Sequence, residues 1–135
     1  MKTLIKELIF CLAILLCVVV FAHAQTPSPT FELVKQTALK ASPDKNGDYF
    51  FGVVVDDIEY VCGYMPRLDN SIGIRITNQT TKIMSIVLWD GETGLYGRRV
   101  SNPETNIVLD VLLNQETADM IAKRVLEYFG EHKSI

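Results

Sequence analysis

The sequence predicts an α+β fold: an antiparallel β-sheet of five to seven strands with a C-terminal amphipathic α-helix packed on one face. Three observations lead there. Between Tyr49 and Leu113, short runs of β-forming residues alternate with clusters of turn formers; the closing stretch from Asn114 switches to a helical period; and no internal repeat divides the chain. With 48% hydrophobic and 21% charged residues, and only 8 Gly and 5 Pro among 135, the composition fits one compact domain and excludes a disordered or collagen-like chain.

Residues 1–24, MKTLIKELIFCLAILLCVVVFAHA, read as a secretory signal peptide cleaved before Gln25. Lys2 and Lys6 precede an apolar run from Leu8 to Ala22, which ends in Ala22-His23-Ala24. A helix of that length rises about 22 Å, short of the roughly 30 Å hydrocarbon core, so a membrane anchor fits less well. Cys11 and Cys17 follow Phe10 and Leu16 rather than small residues, which argues against a lipid-anchored start. The expectation is an exported protein, periplasmic or extracellular, with no membrane span after cleavage. Removing Lys2, Lys6 and Glu7 takes the net charge from −3 to −4. A mildly acidic domain without a Lys/Arg run is a poor match for nucleic acid.

The polar stretch 25–30, QTPSPT, reads as a flexible spacer, leaving residues 31–135 as the folded domain. Phe31 and Leu33 alternate, so the segment to Ala41 is read as a strand, although Phe31, Val34, Ala38 and Ala41 also fit a helix face. Pro43-Asp44-Lys45-Asn46-Gly47-Asp48 concentrates turn formers. The runs 49–55 and 58–65 make a hairpin joined at Asp56-Asp57, a register that pairs Val55 with Ile58 and lays Phe50 over Gly63. Residues 71–77 alternate strictly, with Ile72, Ile74 and Ile76 on one face. The run 82–89 is apolar on both sides and is expected to be a central strand covered on both faces. Residues 95–100 form a short strand, and Ile107, Leu109, Val111 and Leu113 alternate along another. Asn114 caps a final helix whose stripe is Ala118, Ile121, Ala122, Val125, Tyr128 and Phe129, with Gly130 as its stop.

The chemical inventory is thin. After leader removal one His and one Cys remain, His132 in the polar tail and Cys62 on an alternating run. That pair cannot assemble a Cys/His zinc site within one chain, and a nucleophilic triad would have to recruit the tail. Cys62 reads as a buried thiol, with a crosslink between chains as the alternative. Asp44, Asn46 and Asp48 mimic the first, third and fifth positions of a calcium loop, but Tyr49 and Val55 stand where Gly and a bidentate Glu are required. Neither a metal nor another cofactor is therefore expected. Asn78-Gln79-Thr80 is a glycosylation triplet on a turn.

By subtraction, the function expected is an exported, non-catalytic domain that binds a protein or an envelope component, as an inhibitor, accessory subunit or adaptor. The candidate contact surface is Trp89, Asp90, Glu92, Tyr96, Arg98 and Arg99: aromatic anchors, loop carboxylates and the chain's one adjacent Arg pair. Two rivals stand beside it. One is a small hydrolase acting on glycan or peptide with Asp90 and Glu92 as acid and base. The other is a homo-oligomeric structural component.

Overall fold

The computed structural model describes residues 26–105 and 107–132, so the predicted leader lies outside the described residues. Helix α1 spans Pro29–Ala38. Six strands follow: β1 Tyr49–Val55, β2 Ile58–Met65, β3 Ser71–Asn78, β4 Met84–Trp89, β5 Tyr96–Asn102 and β6 Ile107–Leu113. Helix α2, Gln115–His132, ends the described chain. The strands pair antiparallel in sequence order, β1-β2-β3-β4-β5-β6, each reversing into the next. The expected α+β architecture, a six-stranded antiparallel sheet with a C-terminal helix, is present.

The first hairpin has the expected register. Val55 pairs with Ile58 and Phe50 with Gly63. Asp56 and Asp57 sit at φ 50° and 66°, the left-handed pair that closes a two-residue turn matching strand twist. A Cβ on Gly63 would strike the Phe50 ring, so the ring replaces the missing side chain as a cover. The Asp44 turn closes on itself: Asp44 Oδ1 accepts the N–H groups of Asn46 and Asp48 at 2.8 and 3.0 Å.

Two readings of the N-terminal part are corrected. The segment from Phe31 is helix, not strand, and Ser28, Pro29 and Thr30 of the expected spacer belong to the start of that helix, while Gln25 lies outside the described residues. Ser28 Oγ accepts the Phe31 N–H at 3.2 Å, and Pro29 occupies the first turn, where its lost N–H would have had no partner. Phe31, Val34 and Ala38 then point into the core. The helical spacing outweighs the short alternation because the cap supplies a start that a strand lacks.

α1 and α2 lie on the same face of the sheet, mainly against β1–β3 and each other. That inner face carries Phe51, Cys62, Tyr64, Ile72, Ile74, Val87, Trp89 and Tyr96, and the helices add Phe31, Val34, Ala118, Ala122 and Val125. Phe51 packs on Phe129 at 4.8 Å between ring centres and Tyr60 on Tyr128 at 5.5 Å. Asn114 caps α2, its Oδ1 accepting the Thr117 N–H at 2.8 Å. The helix runs past Gly130 to His132, so Gly130 is not its stop.

Strand β4 is central, but among the described residues it is covered on one face only. Ser85, Val87 and Trp89 are buried, while Met84, Ile86 and Leu88 on the other face are half-buried, correcting the expectation of cover on both sides.

The loop after β4 is wedged against the turn before β3. A Cβ on Gly91 would collide with the Asp69 carbonyl oxygen, and Ser71 Oγ accepts the Gly91 N–H at 3.1 Å while donating to the Leu68 carbonyl. Gly91→Ala therefore forces backbone apart. A loss of about 2 kcal/mol or more is expected in urea denaturation, with Gly130→Ala, in helix α2 with nothing near the added Cβ, as the comparison whose midpoint does not fall.

Candidate functional site

The six residues expected to share a contact surface do not come together. Trp89 is 4% and Tyr96 8% exposed, and both face the helices. Tyr96 meets the Phe31 ring edge-on at 5.0 Å, and its hydroxyl accepts the Ser28 N–H at 2.8 Å. These rings are core residues and offer a partner no anchor, which corrects that expectation. Their register explains it: Tyr64, Ile72, Trp89 and Tyr96 pair in succession across β2–β5 and form one buried row on the inner face.

Asp90 and Glu92 hold their own loop together. Asp90 Oδ1 accepts the Glu92 N–H at 2.9 Å, the Asp90 N–H reaches the Leu95 carbonyl, and Gly94 at φ 73° closes the turn onto Asp90. Glu92 is exposed. The two groups thus form a turn with Trp89 directed to the opposite, interior side, not an acid and base flanking an aromatic wall.

Arg98 and Arg99 face opposite sides of the sheet, as neighbours on a strand must. Arg98 lies on the inner side, where its Nε is buried without a protein partner. Arg99 lies on the outer side and grips Asp110 of β6 with two hydrogen bonds, at 2.7 and 3.0 Å. This hydrogen-bonded pair holds the Asp110 carboxyl below its ordinary range. Arg99 is therefore neutralised within the chain rather than offered to an anion.

Two other places carry chemistry. Cys62 is buried on the inner face between Phe51 and Ile74 in register, and burial pushes its thiol up to about 12. Beside it, a groove of about 190 Å³ opens between α2 and the sheet, lined by Tyr60, Ile76, Met120, Ile121, Arg124 and Val125. Burial first, then the neighbouring Tyr128, raise the Tyr60 phenol above its ordinary value against the opposing pull of Arg124. Among the described residues no three His, Cys, Asp or Glu side chains gather as metal ligands.

The feature that sequence reasoning missed is the outer face of the sheet. Three rows cross it in register. The first is Phe50, Gly63, Gly73, Leu88, Gly97 and Leu112; the second holds Val61, Arg75, Ile86, Arg99 and Asp110; the third holds Val54, Glu59, Thr77 and Met84. Phe50 is 42%, Val54 48% and Leu112 80% exposed. Leu68, from the turn before β3, adds a further exposed apolar side chain at the margin. The charged groups in these rows cancel in pairs: Arg75 with Glu59 at 3.1 Å, and Arg99 with Asp110. The result is an apolar, nearly neutral face on an otherwise acidic chain. The available signal was the two-sided apolar pattern of β4; placing both helices on one face requires knowing that α1 is a helix.

No protein-family model, no curated protein and no solved structure matches the chain.

Two outcomes follow from the buried groups. Tyr96→Phe leaves the Ser28 N–H without its acceptor and should cost about 1–3 kcal/mol in chemical denaturation. The Cys62 thiol should resist a disulfide-exchange reagent at pH 8 in the folded protein and react at once in urea. Its folded pKa lies above the ordinary value of 9, so the unfolded chain releases this proton first. Stability should therefore fall as pH rises from 9 toward 12, and Cys62→Ala should flatten that part of the profile.

Proposed function

We propose that this chain is a non-catalytic protein-binding domain that works outside the cytoplasm, and that its contact surface is the outer face of the sheet. The observation carrying this reading is that face itself: six strands wide, with apolar side chains set between charges that are internally paired, and with neither described helix laid over it. An isolated soluble domain seldom leaves a contiguous apolar surface of several hundred Å² without a use for it. The surface is flat and made of ladder-bonded backbone, so it presents shape and hydrophobic area rather than reacting groups. Such a surface suits an inhibitor, an accessory subunit or an adaptor.

The extracytoplasmic setting is supported by the apolar run from Leu8 to Ala22 with its basic start and its small-residue finish. A buried thiol that cannot easily ionise or pair is compatible with an oxidising compartment.

A photoreactive amino acid placed at Leu88 tests the surface, with Glu92 as the comparison position. Crosslinks to a polypeptide from Leu88 and none from Glu92 are expected in cells. Crosslinks from Glu92 alone, or from neither, overturn the assignment. Mass spectrometry of the purified protein tests the setting: the N-terminus should be Gln25, and retained Met1 overturns export by cleavage.

A further inference from the structure

We infer that the partner seated on the outer sheet face is a second copy of this chain, forming a symmetric face-to-face dimer. The inference rests on the reading of that face as a protein contact surface and adds the identity of what covers it. Size is the first argument. Six strands about 4.8 Å apart and about seven residues long present roughly 29 by 23 Å, or roughly 670 Å² of face in projection. A stable interface takes about 800 Å² of accessible surface from each partner, and a corrugated surface exposes more than its projection. The whole face fits a second such face, with no large apolar remainder.

Self-complementarity is the second argument. A twofold axis parallel to the strands stacks β1 on β6 of the second copy, β2 on β5 and β3 on β4. The first row then meets its own reverse. Phe50 comes opposite Leu112 of the second copy, Gly63 opposite Gly97, and Gly73 opposite Leu88. The Phe50 ring, lying over Gly63, makes a raised spot. Gly97 is the open place it meets, since an added Cβ there would find only the Val111 carbonyl oxygen at 3.6 Å. The same operation sets Arg99 of β5 opposite Val61 of β2, and the charges of these rows enter the interface already paired within their own chain. The axis yields an assembly of two stacked sheets with helices on both outsides.

Sedimentation equilibrium of the protein purified after expression of the full-length chain tests the dimer. Twice the chain mass is expected at micromolar concentration, falling to the single-chain mass in the double variant Leu88→Lys with Leu112→Asp. Circular dichroism and a urea midpoint establish that this variant is folded. A single-chain mass for the unsubstituted protein overturns the dimer, and a doubled mass that survives the two substitutions overturns this face as the interface.

The arrangement has its own test. Stacked sheets stand about 10 Å apart, too far for a disulfide, so Phe50→Cys with Leu112→Cys should instead be joined between chains by a bismaleimide of that span. Phe50→Cys alone should not be joined. A dimer in which the double variant is not crosslinked overturns the proposed axis. The photocrosslink from Leu88 separates the two levels. A monomer that crosslinks to a different polypeptide sinks the second copy and keeps the surface, whereas a monomer with no crosslink from Leu88 sinks both. A monomer whose Leu88 crosslinks to residues 8–22 of its own chain shows that the apolar N-terminal run covers the face, and overturns the dimer.

Discussion

A sheet has two faces, and the two described helices cover one. Both helices are drawn to the same side because the large inward residues of β1–β5 are there: Phe51, Tyr64, Ile72, Ile74, Val87, Trp89 and Tyr96. Burying side chains of this size is worth about 1.5–3 kcal/mol each, and dividing two helices between two faces would leave both half covered. The remaining properties follow. The rings that looked like surface anchors become interior, the outer rows stay apolar and uncovered, and the charges on those rows pair with one another.

The helical layer is fastened at one corner. Ser28 caps α1, gives its N–H to Tyr96 of β5, and donates its hydroxyl to Asp119 of α2. One small residue thus joins both helices to the sheet, far from the C-terminal end of α2, where Phe129 and Tyr128 settle on β1 and β2. Away from that corner the cover thins. Ser85 Oγ, Trp89 Nε1 and Arg98 Nε are buried without hydrogen-bond partners, and all three belong to β4 and β5. Unsatisfied polar atoms are costly in a packed interior. Their position suits strands lying beyond the region where the helices pack most densely.

Much of this fold could be read from the residues in order. The Asp56-Asp57 hairpin was legible to the register because two adjacent left-handed residues admit one common turn, and Phe50 over Gly63 confirmed the same pairing. The strict alternation of Ile72, Ile74 and Ile76 and the capped stripe of α2 were equally plain, since each follows a single period. Phe31–Ala41 was not, because a few residues of alternation resemble a strand and the signal that decides, Ser28-Pro29, lay in a stretch that composition marked as linker. The contact surface was harder still. Aromatic residues beside charged ones look like a binding patch in sequence, and only the cross-strand row shows Trp89 and Tyr96 turned inward. A bare face is a property of where helices are not, which no local pattern encodes.

The Ser28 corner would also constrain the timing of the proposed cleavage. Only residues 25–27 separate the expected cut after Ala24 from a side chain that is 4% exposed and tied to three elements. Three residues of fully extended chain reach about 10 Å. A peptidase that needs an extended segment on both sides of the scissile bond could not draw enough chain from the finished domain. If the leader is cut there as proposed, trimming has to come before the domain closes, while Ser28 is still slack, and a precursor that folded first would lock its own leader in place.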